Sequence, residues 1–151
     1  MKKFRFSLQS VHDLRLTQRE QAERALADKE GEVKEAATRL AEMERKRAAA
    51  MRAYAELMRM TNAPDPQEIA LRADYIALLE RQESDARRHL AQLERERDCL
   101  RQKMIEAARD AETTEKLRER QYAQHVLETL RLEQKLLDEI AMLKIARRMT
   151  Q

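Results

Sequence analysis

The sequence predicts an all-α chain, two long helices paired as an antiparallel coiled-coil hairpin. Three observations predict it. Charged residues fill 39% of the 151 positions, aromatics only 3%, and tryptophan is absent. Apolar mass therefore comes from Ala, Leu, Met and Ile, a composition suited to long helices rather than a wide globular core. Apolar residues also recur at alternating separations of three and four over two long stretches, the spacing of a heptad seam. Finally, both prolines fall in one octapeptide, TNAPDPQE, residues 61–68.

In the first arm, about residues 7–60, the seam runs through Leu26, Lys29, Val33, Ala36, Leu40, Met43, Arg47, Ala50, Tyr54 and Leu57. Lys29 and Arg47 interrupt it, but their aliphatic stems can still cover apolar surface. Ahead of it, Phe4, Leu8 and Val11 follow a phase shifted by about one residue, as a heptad discontinuity would produce. Gly31 costs about 1 kcal/mol relative to alanine in a helix interior and is either a bend or simply tolerated.

The turn spans residues 61–66. Asn62 can take the left-handed conformation that ends a helix, and Pro64 prevents continuation. Asp65 suits an N-cap, Pro66 the first helical position, and Glu68 the capping-box carboxylate. A connection this short favours antiparallel neighbours.

The second arm, about residues 66–148, repeats the spacing through Ile76, Leu79, Glu83, Ala86, Leu90, Leu93, Arg97, Leu100, Met104, Ala107 and Ala111. The phase blurs around Thr113–Arg120 and returns in Val126, Leu130, Glu133, Leu137 and Ile140. Leu127, Leu132, Leu136, Leu143 and Ile145 widen that last stripe beyond what a two-stranded seam requires. It is either extra packing for Phe4, Phe6 and Leu8 or a partner surface. At 1.5 Å per residue the arms would be roughly 80 and 120 Å long, so the second overhangs the first by about 25–30 residues. The whole chain, 1–151, reads as one elongated hairpin.

The net charge of +3 is spread over 31 basic and 28 acidic residues of interleaved sign. Glu20 with Arg24, Glu30 with Lys34, Glu42 with Lys46, Glu83 with Arg87 and Glu112 with Lys116 stand four apart in the favourable order, each worth about 0.2–0.5 kcal/mol. This is a solvated helix surface; a nucleic-acid binder would concentrate its basic residues in a block or stripe. MKKFRFSLQS lacks the apolar run of a signal peptide, and no window approaches a membrane span. A cytoplasmic protein without direct membrane insertion is expected. Cys99 is the single cysteine, and His12, His89 and His125 stand apart with no metal-ligand spacing beside them. There is no phosphate loop and no nucleophile elbow. The expectation is a non-enzyme without cofactor or metal, acting by interaction.

The N-terminal segment KFRFSLQSVHDLRLTQREQAERAL, with Phe4, Phe6, Leu8, Val11, Leu14, Arg15 and Glu20, resembles the start of the FliJ family of flagellar type III export proteins. The resemblance continues in chain length, in the central helix break and in DYIALLERQ, residues 74–82. It implies a fold similar to the coiled-coil stalk of rotary ATPases. It further implies a stalk in the hexameric flagellar export ATPase, contact with the cytoplasmic domain of the export-gate membrane protein, and association with export chaperones.

Phe4, Phe6, Leu8 and Val11 would then meet the ATPase, and Tyr75, Leu79, Gln82 and Ala86 the gate. Gln82 and Ala86 depart from the family pattern. Leu79 also lies on the seam, so it has a core role open to it, and Phe4 and Phe6 could equally close the hairpin. The chain is expected to be monomeric, at the cytoplasmic side of the inner-membrane export apparatus. The alternatives are the equivalent stalk of a virulence-type secretion system and a structural coiled-coil scaffold or homodimer.

Overall fold

The computed structural model describes residues 3–59 and 65–149, with side chains through Ile145. Two helices account for almost all of them: α1, Gln9–Arg59, and α2, Pro66–Met149. The expected helix stop at Asn62 and Pro64 lies outside the described residues. The start of α2 is built as its sequence suggests. Asp65 Oδ1 accepts the Gln67 N–H at 2.9 Å and the Asp65 carbonyl accepts the Ile69 N–H at 3.1 Å. Glu68, expected to complete a capping box, instead accepts from Arg72 Nη2 at 2.6 Å, and its charge still sits in the first helical turn, where the dipole favours it.

The chain divides into two compact units, one of Ala22–Met104 and one of Met1–Gln21 with Ile105–Gln151. Both helices contribute to each. In the first, Glu30 pairs with Arg101, Glu44 with Arg87 and Arg47 with Glu83, so partner numbers fall along α2 as they rise along α1. The helices are antiparallel there. Every seam residue expected between Leu26 and Leu57, and between Ile76 and Met104, is buried or half-buried, with Leu26, Ala36, Leu57, Leu79 and Leu93 the most enclosed. Gly31 lies inside an uninterrupted α1 with open space where a Cβ would stand, so it is tolerated on an exposed face rather than used as a bend.

Polar seam residues are paired in turn. Glu83, 4% exposed, lies 2.7 Å from Arg87 Nη2 and 2.8 Å from Arg47 Nε. The Arg47 Nε contact is one of charge alone, since neither that atom nor Glu83 Oε2 makes a directed hydrogen bond. Lys29 donates to Glu96 at 3.0 Å and to Glu32 at 2.6 Å. These hydrogen bonds, Glu32 first, raise the lysine pKa; the bond from Lys29, followed by that from Gln92, lowers the Glu96 carboxyl below its ordinary value.

The other unit is antiparallel too, but its seam changes character. The three-four spacing runs back from Leu26 through Ala22 and Arg15 to His12, and His12 is 3% exposed. Polar residues carry the repeat here, so the expected phase shift through Phe4, Leu8 and Val11 is not how this end packs. Leu8 and Val11 are each 39% exposed, whereas Phe6 is buried. The ambiguous stretch around Thr113–Arg120 is resolved by the same change, because Thr114 and Glu115 are half-buried opposite His12. Beyond His125, α2 continues to Met149 with Val126, Leu130, Leu137 and Ile140 exposed.

Candidate functional site

Two surfaces contain the residues singled out in the sequence. At the N-terminal one, the Phe6 carbonyl accepts the Gln9 N–H at 3.2 Å, a turn ahead of α1 that folds the aromatic side chains onto α2. The Phe4 ring stands edge-on to Tyr122, centroids 5.3 Å apart, and 5.7 Å from the His125 ring. Phe6 meets the His12 ring edge-on at 6.4 Å. His12 Nδ1 is 3.0 Å from Thr114 Oγ1, and Nε2 is 2.9 Å from Glu115 Oε2, which Arg118 also approaches at 3.4 Å. Arg15 pairs with Asp110 a turn further along.

Burial is therefore divided among the four N-terminal residues. Phe4 and Phe6 are spent on packing, which closes this end as weakly polar aromatic contacts do. Leu8 and Val11 remain available on the outside. His12 was missed as a structural centre because it has no metal-type neighbour in sequence. The signal was present nonetheless, in its place on the three-four repeat that leads back from Leu26.

The second surface lies on the early part of α2. Tyr75 is 50% exposed, while Leu79, one helical turn later, is 4% exposed and belongs to the seam. Gln82 is exposed and Ala86 half-buried. Both line a shallow groove of about 500 Å³, with Ala36, Arg39 and Met43 on α1 and His89 on α2. Two small seam residues, Ala36 and Ala86, border the groove and leave the flank between the helices less filled.

Tyr75, Gln82 and His89 recur at heptad spacing, which places them along one flank of the pair. The other flank carries the Glu44–Arg87 bridge at 2.9 Å and the Glu30–Arg101 bridge at 3.4 Å. Leu71 and Leu78, not singled out from the sequence, are also exposed and extend the apolar surface around Tyr75. The structure thus keeps Tyr75, Gln82 and Ala86 at the surface or in the groove and turns Leu79 inward.

Among the described residues no group of three His, Cys, Asp or Glu side chains is placed to hold a metal ion. No described helix is long and apolar enough to cross a membrane. What both surfaces offer is exposed apolar area bordered by charge, which suits recognition of protein.

No curated protein and no solved structure matched the chain. A family model did, that of the flagellar FliJ protein, and it matches residues 4–150. With nearly the whole chain matched, and with the paired helices that the N-terminal and post-turn motifs anticipate, this protein belongs to the FliJ family, components of flagellar protein export.

Proposed function

We propose that the protein is a coiled-coil stalk for the hexameric flagellar export ATPase and links that ring to the cytoplasmic domain of the export gate and to export chaperones. The observation that carries this reading is the family match over residues 4–150, on a chain whose helices pair antiparallel in both compact units. The ATPase contact is assigned to the end bearing Phe4, Phe6, Leu8 and Val11. Leu8 and Val11 supply the exposed apolar contact, and Phe4 and Phe6 hold the segment in place. The gate contact is assigned to Tyr75 with Gln82 and Ala86 in the groove, and Leu79 supports them from within the seam.

A stalk of this kind acts by differential affinity. Its two flanks differ, one of them carrying the groove beside Gln82 and Ala86, so ATPase subunits in different conformations meet different surfaces. Only such a difference in binding free energy can bias one conformation over another. The protein would work at the cytoplasmic side of the inner-membrane export apparatus at the flagellar base.

The test is reconstitution with the cognate ATPase and, separately, with the gate's cytoplasmic domain. Leu8→Asp/Val11→Asp is expected to abolish the effect on ATPase assembly and hydrolysis while leaving gate affinity intact. Tyr75→Ala is expected to do the reverse, weakening gate binding by about tenfold or more, as loss of an exposed aromatic anchor does. Helicity should be unchanged in both. Wild-type protein that changes neither assembly nor hydrolysis, and does not bind the gate, sinks the reading.

A further inference from the structure

Past the Phe4–His125 contact, α2 carries a heptad stripe that no other described residues cover. Its polar interruptions are informative. Glu133 and Lys144 both lie on the seam positions of this stripe, with Leu137 and Ile140 between them, and Leu136 and Leu143 along one edge. The four apolar residues are all exposed, at 49–66%. A carboxylate and an ammonium placed symmetrically about two apolar seam residues form a self-complementary pattern.

In an antiparallel pair of identical helices related by a two-fold axis, each contact occurs twice, with residue i on j and j on i. Centred between Asp138 and Glu139, such a pair layers Leu137 of one copy on Ile140 of the other and Glu133 on Lys144. Leu136 and Leu143 meet along the edge. Within residues 133–144 each polar seam residue then faces its opposite charge, and each apolar one an apolar partner.

Other arrangements of the same two helices do not achieve this. Shifting by one heptad in one direction sets Glu133 against Leu137 and Lys144 against Val126; shifting in the other sets Lys144 against Ile140. A parallel, in-register pair stacks Glu133 on Glu133 and Lys144 on Lys144. Charge at seam positions selects partner and register in this way because a mismatched polar residue is buried without compensation.

We propose that residues 133–144 of α2 form a reciprocal antiparallel contact with the same segment of a second copy of this chain. The overlap covers about three turns of helix, roughly 18 Å. So short an interface gives a reversible dimer, occupied when the chain is concentrated and released on dilution. The assignment rests on the residues of this segment alone and is independent of the export reading.

Sedimentation equilibrium of the full chain across a dilution series tests it. The weight-average mass is expected to rise from 17.9 kDa toward twice that value with concentration. Glu133→Lys alone, or Lys144→Glu alone, should weaken the association roughly tenfold, since each puts two like-charge contacts into the interface. The two changes in one chain should restore it. Leu137→Asp should leave a monomer of unchanged helicity, because Leu137 is exposed in the single chain.

A wild-type chain that stays monomeric at every concentration overturns the proposal, including one whose stripe is covered only by a different helical protein. So does association that survives Leu137→Asp, or a double charge exchange that fails to restore what either single change removes.

Discussion

Leu93 and Leu137 are both seam leucines of a three-four repeat on the same helix, yet one is 7% exposed and the other 66%. The difference lies in what faces them. Leu93 is in the unit where α1 runs alongside, and it borders the space between the helices together with Ala36. Leu137 lies beyond the Phe4–His125 contact, where no second helix stands alongside among the described residues. Periodicity declares that a helix has an apolar face; the length of the opposing arm decides how much of that face is used. Hydrophobic stabilisation follows area removed from water, so two leucines on the seam of one helix contribute unequally.

The largest expected effect is a direct contrast of these two sites. Leu93→Ala should destabilise the fold by about 2–3 kcal/mol in urea unfolding, the lower part of the range for a buried leucine because the seam is narrow. Leu137→Ala at a concentration that keeps the chain monomeric should change stability by less than about 0.5 kcal/mol. Equal losses at both sites would mean that the end of α2 is covered within the single chain.

A smaller effect is expected on the exposed face of α1. Gly31→Ala adds a Cβ into open space in an unbroken helix and should stabilise by about 0.5–1 kcal/mol. A loss of stability instead would indicate that the residue is needed as a point of bending.

The smallest effect concerns Glu96, whose carboxyl is lowered chiefly by the hydrogen bond from Lys29. A lowered carboxyl contributes stability that is present above the ordinary unfolded value and is lost as pH falls through the folded one. The difference in urea midpoint between wild type and Glu96→Gln should therefore be present at neutral pH and shrink on acidification below the usual carboxylate range. A difference that grows on acidification would break this assignment.

The middle of the molecule was the part most plainly written in the sequence. Leu26 through Leu57 and Ile76 through Met104 take the seam positions their spacing predicts, with Lys29, Arg47 and Glu83 accepted where charged neighbours stand opposite. Asp65 and Pro66 mark the start of α2 because a cap and a locked φ are local chemistry, readable without the rest of the fold.

The terminal end is less legible, because its seam is polar and an apolar pattern does not trace it. His12, Arg15 and Thr114 continue the repeat with hydrogen bonds in place of hydrocarbon. Of the candidate contact residues, Tyr75 was readable as an outward aromatic. Its company, Leu71 and Leu78, and the groove beside Gln82 depend on which residues the opposing helix brings near. One helix's sequence does not state that.

The paired charges along the seam also give it a mechanical character. To slide one helix past the other by a heptad, Glu83 would have to leave Arg47, and Arg47 would come to rest against Ile76 or Leu90. Shear is thus opposed by a discrete barrier, with uncompensated charge on the far side of it. Peeling the helices apart from the end that bears His12 can proceed layer by layer, giving up the Phe6 and Thr114 contacts of His12 before the seam beyond them is disturbed. A pair of helices built this way resists a lengthwise load more stiffly than a sideways one.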